Sequence, residues 1–166
     1  MLHVALWEPE IPPNTGNVAR LCAATGATLH LIGRLGFRTD DKTLKRAGLD
    51  YWPHVTIRRH MNIEDFEAAI ADVVLHPQPL TPEGRGGPGL WLVDNPAPTA
   101  YTRVTFRDGD VLLFGNESKG LPPGLREKYA AGLIGIPMPG GTVRSLNLAT
   151  AVGVVLYEAL RQIHGW

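Results

Sequence analysis

Ile136-Pro137-Met138-Pro139-Gly140-Gly141-Thr142-Val143-Arg144-Ser145-Leu146-Asn147-Leu148 joins a short apolar run to a long apolar stretch, and its reading decides the fold. Its prolines, glycines and polar side chains argue for a loop whose backbone N–H and C=O groups face a ligand instead of a ladder. On its C-terminal side Leu148, Ala151, Val152, Val155, Leu156, Ala159, Leu160 and Ile163 recur at i, i+3, i+4 spacing, with Val154 and Tyr157 widening the stripe. A helix this apolar belongs deep in a core or in a subunit interface. One small domain does not readily cover such a stripe, so a homodimer is expected. On its N-terminal side, residues 133–136 read as a buried strand.

Two earlier segments have the same character. Pro12-Pro13-Asn14-Thr15-Gly16-Asn17-Val18-Ala19-Arg20 follows a strand at residues 2–7, and Phe114-Gly115-Asn116-Glu117-Ser118-Lys119-Gly120-Leu121-Pro122 follows one at 111–114. Further strands are expected at 28–32, 54–57 and 90–93. After the first turn, Val18, Leu21, Cys22 and Thr25 recur at helical spacing, with Asn14 or Thr15 as cap and Gly26 as the stop. A short helix is expected from Asp40 or Asp41 to Arg46. Another, capped by Asn62, carries Ile63, Phe66, Ala69 and Ile70 on one face. Residues 76–89, rich in proline and glycine, read as a surface loop. Strands alternating with helices predict an α/β fold, a mostly parallel sheet flanked by helices, in a single domain over 1–166. No internal repeat is present.

Composition narrows the chemistry. The 166 residues suffice for one core, and apolar residues make up 44%. No apolar run is long enough for a transmembrane helix. The N-terminus lacks the charged start and cleavage site of a signal peptide, so a cytoplasmic location is expected. Cys22 is the only cysteine, which excludes an intrachain disulfide and reads as a small core residue. Lys+Arg and Asp+Glu balance at 16 each, so any RNA contact must come from local patches. Two stretches qualify: Arg34, Arg38, Lys42, Lys45 and Arg46, and Arg58-Arg59-His60. Each alone is also compatible with a solvated face.

Several chemistries lack their signatures. Lys119 precedes Gly120, which breaks the phosphate-loop order, and no G-x-G-x-x-G follows the first strand. There is no G-x-S-x-G elbow. No two of the six histidines have metal-ligand spacing, so no metal is expected. Arg20 has two readings, a surface arginine pairing with Glu8 or Glu10, or a clamp for an anion or hydroxyl. Arg144 shares that ambiguity, but beside Gly140-Gly141 and the last helix it is placed to meet a phosphate with Ser145 and the helix N-terminal amides.

Together the three segments resemble the SPOUT superfamily of S-adenosylmethionine-dependent RNA methyltransferases, over nearly the whole chain. The first family motif is similar to Asn14-Thr15-Gly16-Asn17 with Arg20. The second is similar to Phe114 through Leu121. The third is similar to Ile136-Pro137-Met138 followed by Ser145-Leu146-Asn147-Leu148-Ala149. Glu8-Pro9-Glu10-Ile11-Pro12-Pro13, Arg46-Ala47-Gly48-Leu49-Asp50-Tyr51 and Tyr157-Glu158-Ala159 look like the TrmL-type enzymes, which 2′-O-methylate the wobble nucleotide of certain tRNAs.

The resemblance implies a C-terminal trefoil knot, an obligate homodimer, tRNA as substrate and S-adenosylmethionine as the only cofactor. It places the cofactor against Val93, Gly115, Asn116, Glu117, Gly120, Ile136, Met138, Ser145, Leu146 and Asn147. It puts Arg20, Asn14 and Ser145 in catalysis, and Arg20, Arg46, Lys119, Arg144 and Tyr157 toward RNA. Arg20 would orient the 2′-hydroxyl and stabilise negative charge, since arginine is too basic to act as a literal base. Asn14 would hold Arg20 or the ribose, and Ser145 and Asn147 would shape the third loop and cap the last helix. Glu117 reads as a brace for backbone amides in preference to a site carboxylate. Tyr157 fits either a dimer core or an RNA contact. The 76–89 loop is longer than in compact relatives, and Asn116 and Lys119 stand where relatives vary. Two other classes stay open: a catalytically silent RNA-binding dimer of this fold, and a small-molecule-binding α/β protein unrelated to RNA.

Overall fold

The computed structural model describes residues 1–37, 54–71 and 89–166. The expected helix at 40–46, with Arg46, and nearly all of the 76–89 loop lie outside the described residues.

Among the described residues seven strands form one sheet: β1 (His3–Trp7), β2 (Thr28–Ile32), β3 (Ile57–His60), β4 (Leu90–Val93), β5 (Thr99–Ala100), β6 (Val111–Phe114) and β7 (Leu133–Gly135). Their order is β3-β2-β1-β6-β4-β7-β5, and every pairing is parallel. All strands therefore end at one edge of the sheet, and the three loops named above leave from that edge. β2 and β6 are buried along their whole length, which explains why they read as continuous apolar runs instead of alternating ones.

Helices cover both faces. α1 (Pro12–Thr25) and α4 (Leu148–His164) pack Val18, Cys22, Val152, Val155 and Leu156 onto Val4, Leu6, Leu29 and Leu31. On the other face α2 (Ile63–Ile70) and the short α3 (Pro123–Lys128) bring Phe66, Ile70 and Leu125 against Ala5, Ile32, Leu92 and Leu113. Cys22 lies in this core, and burial pushes its thiol up to about 12, which leaves it unreactive.

Three local expectations change. The third strand begins at Ile57, not 54, because Ile57 is the residue that pairs with Leu29. Asn14 and Thr15 do not cap α1. The helix starts at Pro12, with Ile11 extended before it, and the two prolines occupy positions whose missing N–H groups need no partner. The stripe on α4 is spent largely inside the protomer: Leu148, Val152, Val155, Leu156, Ala159 and Leu160 are all buried. Asn62 does cap α2, accepting from Asp65 N at 2.8 Å, and Gly26 ends α1 at φ 73°.

Three histidines cross the first half of the sheet. His3 Nδ1 lies 3.0 Å from His30 Nε2, and His30 Nδ1 lies 2.9 Å from His60 Nε2. They sit on the adjacent strands β1, β2 and β3. Phe66 of α2 sets its ring edge-on to both His30 and His60. Burial lowers the basicity of all three, aided by the neighbouring Arg58, and His30 falls to about 3. The row is therefore neutral at pH 7, and the middle ring, His30, donates from one nitrogen and accepts at the other.

Candidate active site

The loop after β6 closes on itself. Asn116 and Gly120 exchange backbone hydrogen bonds of 3.3 and 3.1 Å, and Asn116 Oδ1 accepts from Lys119 N at 2.7 Å. Gly120 takes φ 69°, which favours glycine. Gly115 is needed for a different reason: a Cβ there would lie 2.2 Å from the Gly120 carbonyl carbon. The glycines of this motif thus shape the loop before any ligand arrives.

Glu117 reaches out of the loop to the start of α1. Its carboxylate accepts from Glu10 N at 2.9 Å, from Ile11 N at 3.1 Å and from Asn14 Nδ2 at 3.0 Å. A carboxylate there completes a helix N-terminus that has no side-chain cap of its own. Asn14 Oδ1 in turn accepts from Asn147 Nδ2 at 2.9 Å, and Asn147 Oδ1 caps α4 through Ala149 N at 3.0 Å and Thr150 N at 3.4 Å. One chain, Glu117–Asn14–Asn147, therefore ties the three sequence motifs together. Both ends of the Asn14 amide are engaged. Arg20 lies six residues on, roughly 240° around the helix.

A cleft of about 370 Å³ opens between these loops. Of the residues expected to meet a cofactor, Val93, Gly115, Asn116, Glu117, Gly120, Ile136, Met138, Ser145, Leu146 and Asn147 all line it, as do Asn14, Lys119 and Arg144. Arg20 and Tyr157 do not. Arg20 is exposed on α1, and Tyr157 is 44% exposed on α4 with its ring 6.4 Å from that of Trp166.

Asp94, Asn95 and Arg126 also line the cleft, and the sequence reading passed over all three. Asp94 accepts from Arg126 Nη1 at 2.9 Å and from Leu121 N at 3.2 Å. Asn95 Nδ2 donates to the Ile136 carbonyl at 3.0 Å. These bonds fasten the turn after β4 to the other two loops. The Asp-Asn-Pro run after an apolar strand was the available signal. Arg126 lies on a helix of six residues, too short to show a period.

The cleft is within the size range of small-molecule sites. Its wall alternates apolar side chains (Val93, Ile136, Leu146, Leu148) with loop backbone, which suits a ligand combining a flat ring with a polar tail. Lys119, Arg126 and Arg144 give it cations. Among the described residues no group of three or more His, Cys, Asp or Glu side chains is placed to hold a metal ion, and no helix is long and apolar enough to cross a membrane.

The model of the SpoU rRNA Methylase family matches residues 1–157. A tRNA (cytidine(34)-2′-O)-methyltransferase of Aeromonas hydrophila is 46% identical over 164 residues, 98% of this chain and 95% of that protein. A solved structure described as giving insight into 2-OH methylation of C/U34 on tRNA superposes with a TM-score of 0.83 at 46% identity, covering 100% of this chain and 98% of that one. An AdoMet-bound rRNA methyltransferase from Sinorhizobium meliloti superposes with a TM-score of 0.76 at 30% identity, covering 96% of this chain and 56% of that one.

Proposed function

The chain belongs to the SpoU rRNA methylase family, and from that premise we propose that it methylates the ribose 2′-hydroxyl of nucleotide 34, a cytidine or modified uridine, in the tRNA anticodon loop. The observation that carries the reading is the cleft itself: three loops, bound by the Glu117–Asn14–Asn147 chain, enclose a backbone-rich site of the right size for S-adenosylmethionine. That cofactor, when bound, supplies an electrophilic methyl group on a leaving group that departs neutral.

The protein's own task is alignment. Val93, Ile136 and Leu146 give the adenine its apolar surface, and the Gly115 and Ile136 loops offer backbone groups to its edge. Asn14, Glu117 and Asn147 hold those loops at fixed spacing. An alkoxide developing on the ribose needs a cation, and a positioned charge at such a point is typically worth ~3 kcal/mol, on the order of a hundredfold in rate. Arg20 is the proposed group, meeting the hydroxyl and its phosphate once RNA lies along α1. Arg144 is the second candidate, favoured by its place in the cleft wall beside Ser145. The proposal further includes a homodimer through the outward side of α4, where Tyr157 and Trp166 are exposed, a cytoplasmic location, and the trefoil knot of the family.

The test uses labelled S-adenosylmethionine and total tRNA, followed by mapping of the methylated nucleotide. Label at position 34 is expected; label elsewhere, or none, rejects the reading. Arg20→Ala and Arg144→Ala are then compared in single turnover. The orienting arginine should lose about a hundredfold in rate with cofactor affinity nearly intact, and lysine should rescue it poorly because it lacks the planar fork. A wild-type rate from Arg20→Ala removes that residue from catalysis.

A further inference from the structure

A second cleft, of about 210 Å³, is lined by Leu31, Gly33, Leu35, Arg59, His60 and Met61. It lies where β2 and β3 end, Ile32 pairing with His60. Because every strand is parallel, this is the same sheet edge that carries the methyl-transfer cleft. β3 and β6 are three strand spacings apart, roughly 14 Å.

His60 is only 7% exposed yet lines this cleft. Its Nε2 is taken by His30, and its Nδ1 makes no hydrogen bond among the described residues. When His3 Nδ1–H donates to His30, and His30 Nδ1–H donates to His60, the proton of the neutral His60 ring sits on Nδ1. With that tautomer set the row presents a neutral Nδ1–H at the cleft, and with the reverse set a neutral Nδ1 acceptor. Charged groups near that ring are Arg58 and Asp65, and Arg59 lies beside the cleft. Leu35 and Met61 supply apolar wall, and Arg34 and Arg59 are exposed at its border.

We propose that this cleft takes a nucleotide of the substrate RNA that flanks the methylated one, its base against Leu35 and Met61 with a hydrogen-bonding edge on His60 Nδ1, and its phosphate at Arg59. The proposal rests on the tRNA-methyltransferase reading. A loop RNA splays unstacked bases that are read on their edges, and a target nucleotide in the first cleft carries its neighbours along this edge. A neutral, buried imidazole between apolar side chains suits a base edge; a bare anion would need a charged partner in that place.

The experiment pairs protein variants with RNA variants. Transcripts of the methylated tRNA are made abasic at one flanking anticodon-loop position at a time, and methylated by wild type, His60→Phe and Met61→Glu. Losing one hydrogen bond to the base should raise KM for tRNA about tenfold, with kcat and cofactor affinity unchanged. At one flanking position the abasic transcript should cost wild type about the same factor and cost His60→Phe nothing more, the non-additivity of groups that touch. Equal losses in both proteins across the whole abasic series overturn the proposal. If His60→Phe does not fold, Met61→Glu decides by the same comparison, since Met61 is 85% exposed and its replacement spares the core. If wild type methylates no tRNA, the reaction itself is misassigned. Fluorescence anisotropy with the same transcripts then decides on the cleft by the same pattern of losses.

Discussion

The two halves of the sheet solve one problem with different materials. On the β6-β4-β7 side, loops are held by a carboxylate and two amides, Glu117, Asn14 and Asn147, reaching between segments far apart in sequence. On the β1-β2-β3 side, three imidazoles are set in the strands and sealed by Phe66. The amide chain has loop ends and borders the cleft, so its state is set by what binds there. The imidazole row is bound to the sheet register, so its state is set by pH and by the core around it. Cofactor chemistry belongs to the first half and acid sensitivity to the second.

The sharpest way to break that division is Gly115→Val. The branched side chain would collide with the Gly120–Leu121 backbone, so the loop must open and cofactor binding should vanish in calorimetry while the histidine half stays folded by NMR. Retained wild-type affinity would show that the closed loop is not the binding form. Glu117→Ala comes next. Three N–H groups lose a charged acceptor, and a cost of about 2–3 kcal/mol is expected, split between melting temperature and cofactor affinity. Glu117→Gln should recover part of it.

These loop effects mark where the sequence was readable. Residues 28–32, 90–93 and 111–114 declared themselves as strands because both faces are buried and no polar residue had to interrupt the apolar run except His30. The cleft residues from Gly115 to Asn147 were legible through motif resemblance. Their mutual bonds were not, since Glu117 meets Glu10 N across 107 positions and no spacing rule spans that distance. The Asp94–Arg126 pair escaped for the same reason, and the six-residue helix of Arg126 is in addition too short to show a period. The α4 stripe left its partner open: an apolar helix face looks the same whether another chain covers it or, as for Val152, Val155 and Leu156, α1 and the sheet of the same protomer do.

The second half is tested with acid. The ordinary histidine value applies to the unfolded chain, and burial lowers the folded His30 to about 3. Above pH ~6.5 neither state binds this proton and the stability is fully present. Below it the unfolded state takes up the proton alone, and stability should fall by about 1.4 kcal/mol per pH unit until the folded value is reached. His3 and His60 shift in the same direction and add to the slope, with Arg58 opposing protonation and Asp65 favouring it at His60. Urea melts from pH 7.5 to 5 check this, and His30→Leu should flatten the curve. An unchanged slope in that variant would place the acid sensitivity elsewhere. The smallest effect is expected at Tyr157→Asp, where protomer stability should change by no more than about 0.5 kcal/mol, as for an exposed site. Sedimentation should nevertheless show dissociation if the outward side of α4 forms the dimer.

The all-parallel order has a consequence for how the chain is made. β1 can pair with β2 as soon as residue 32 is available, but its other edge waits for Val111 to Phe114. At translation rates of about 5–20 residues per second that interval lasts roughly 4–16 s. During it an interior strand of the finished sheet is an open edge beside the ribosome, carrying Val4, Ala5 and Leu6, all of which end fully buried. Nascent chains arrested before residue 111 should therefore be ready ligands for holding chaperones, and chains arrested beyond 114 should escape them.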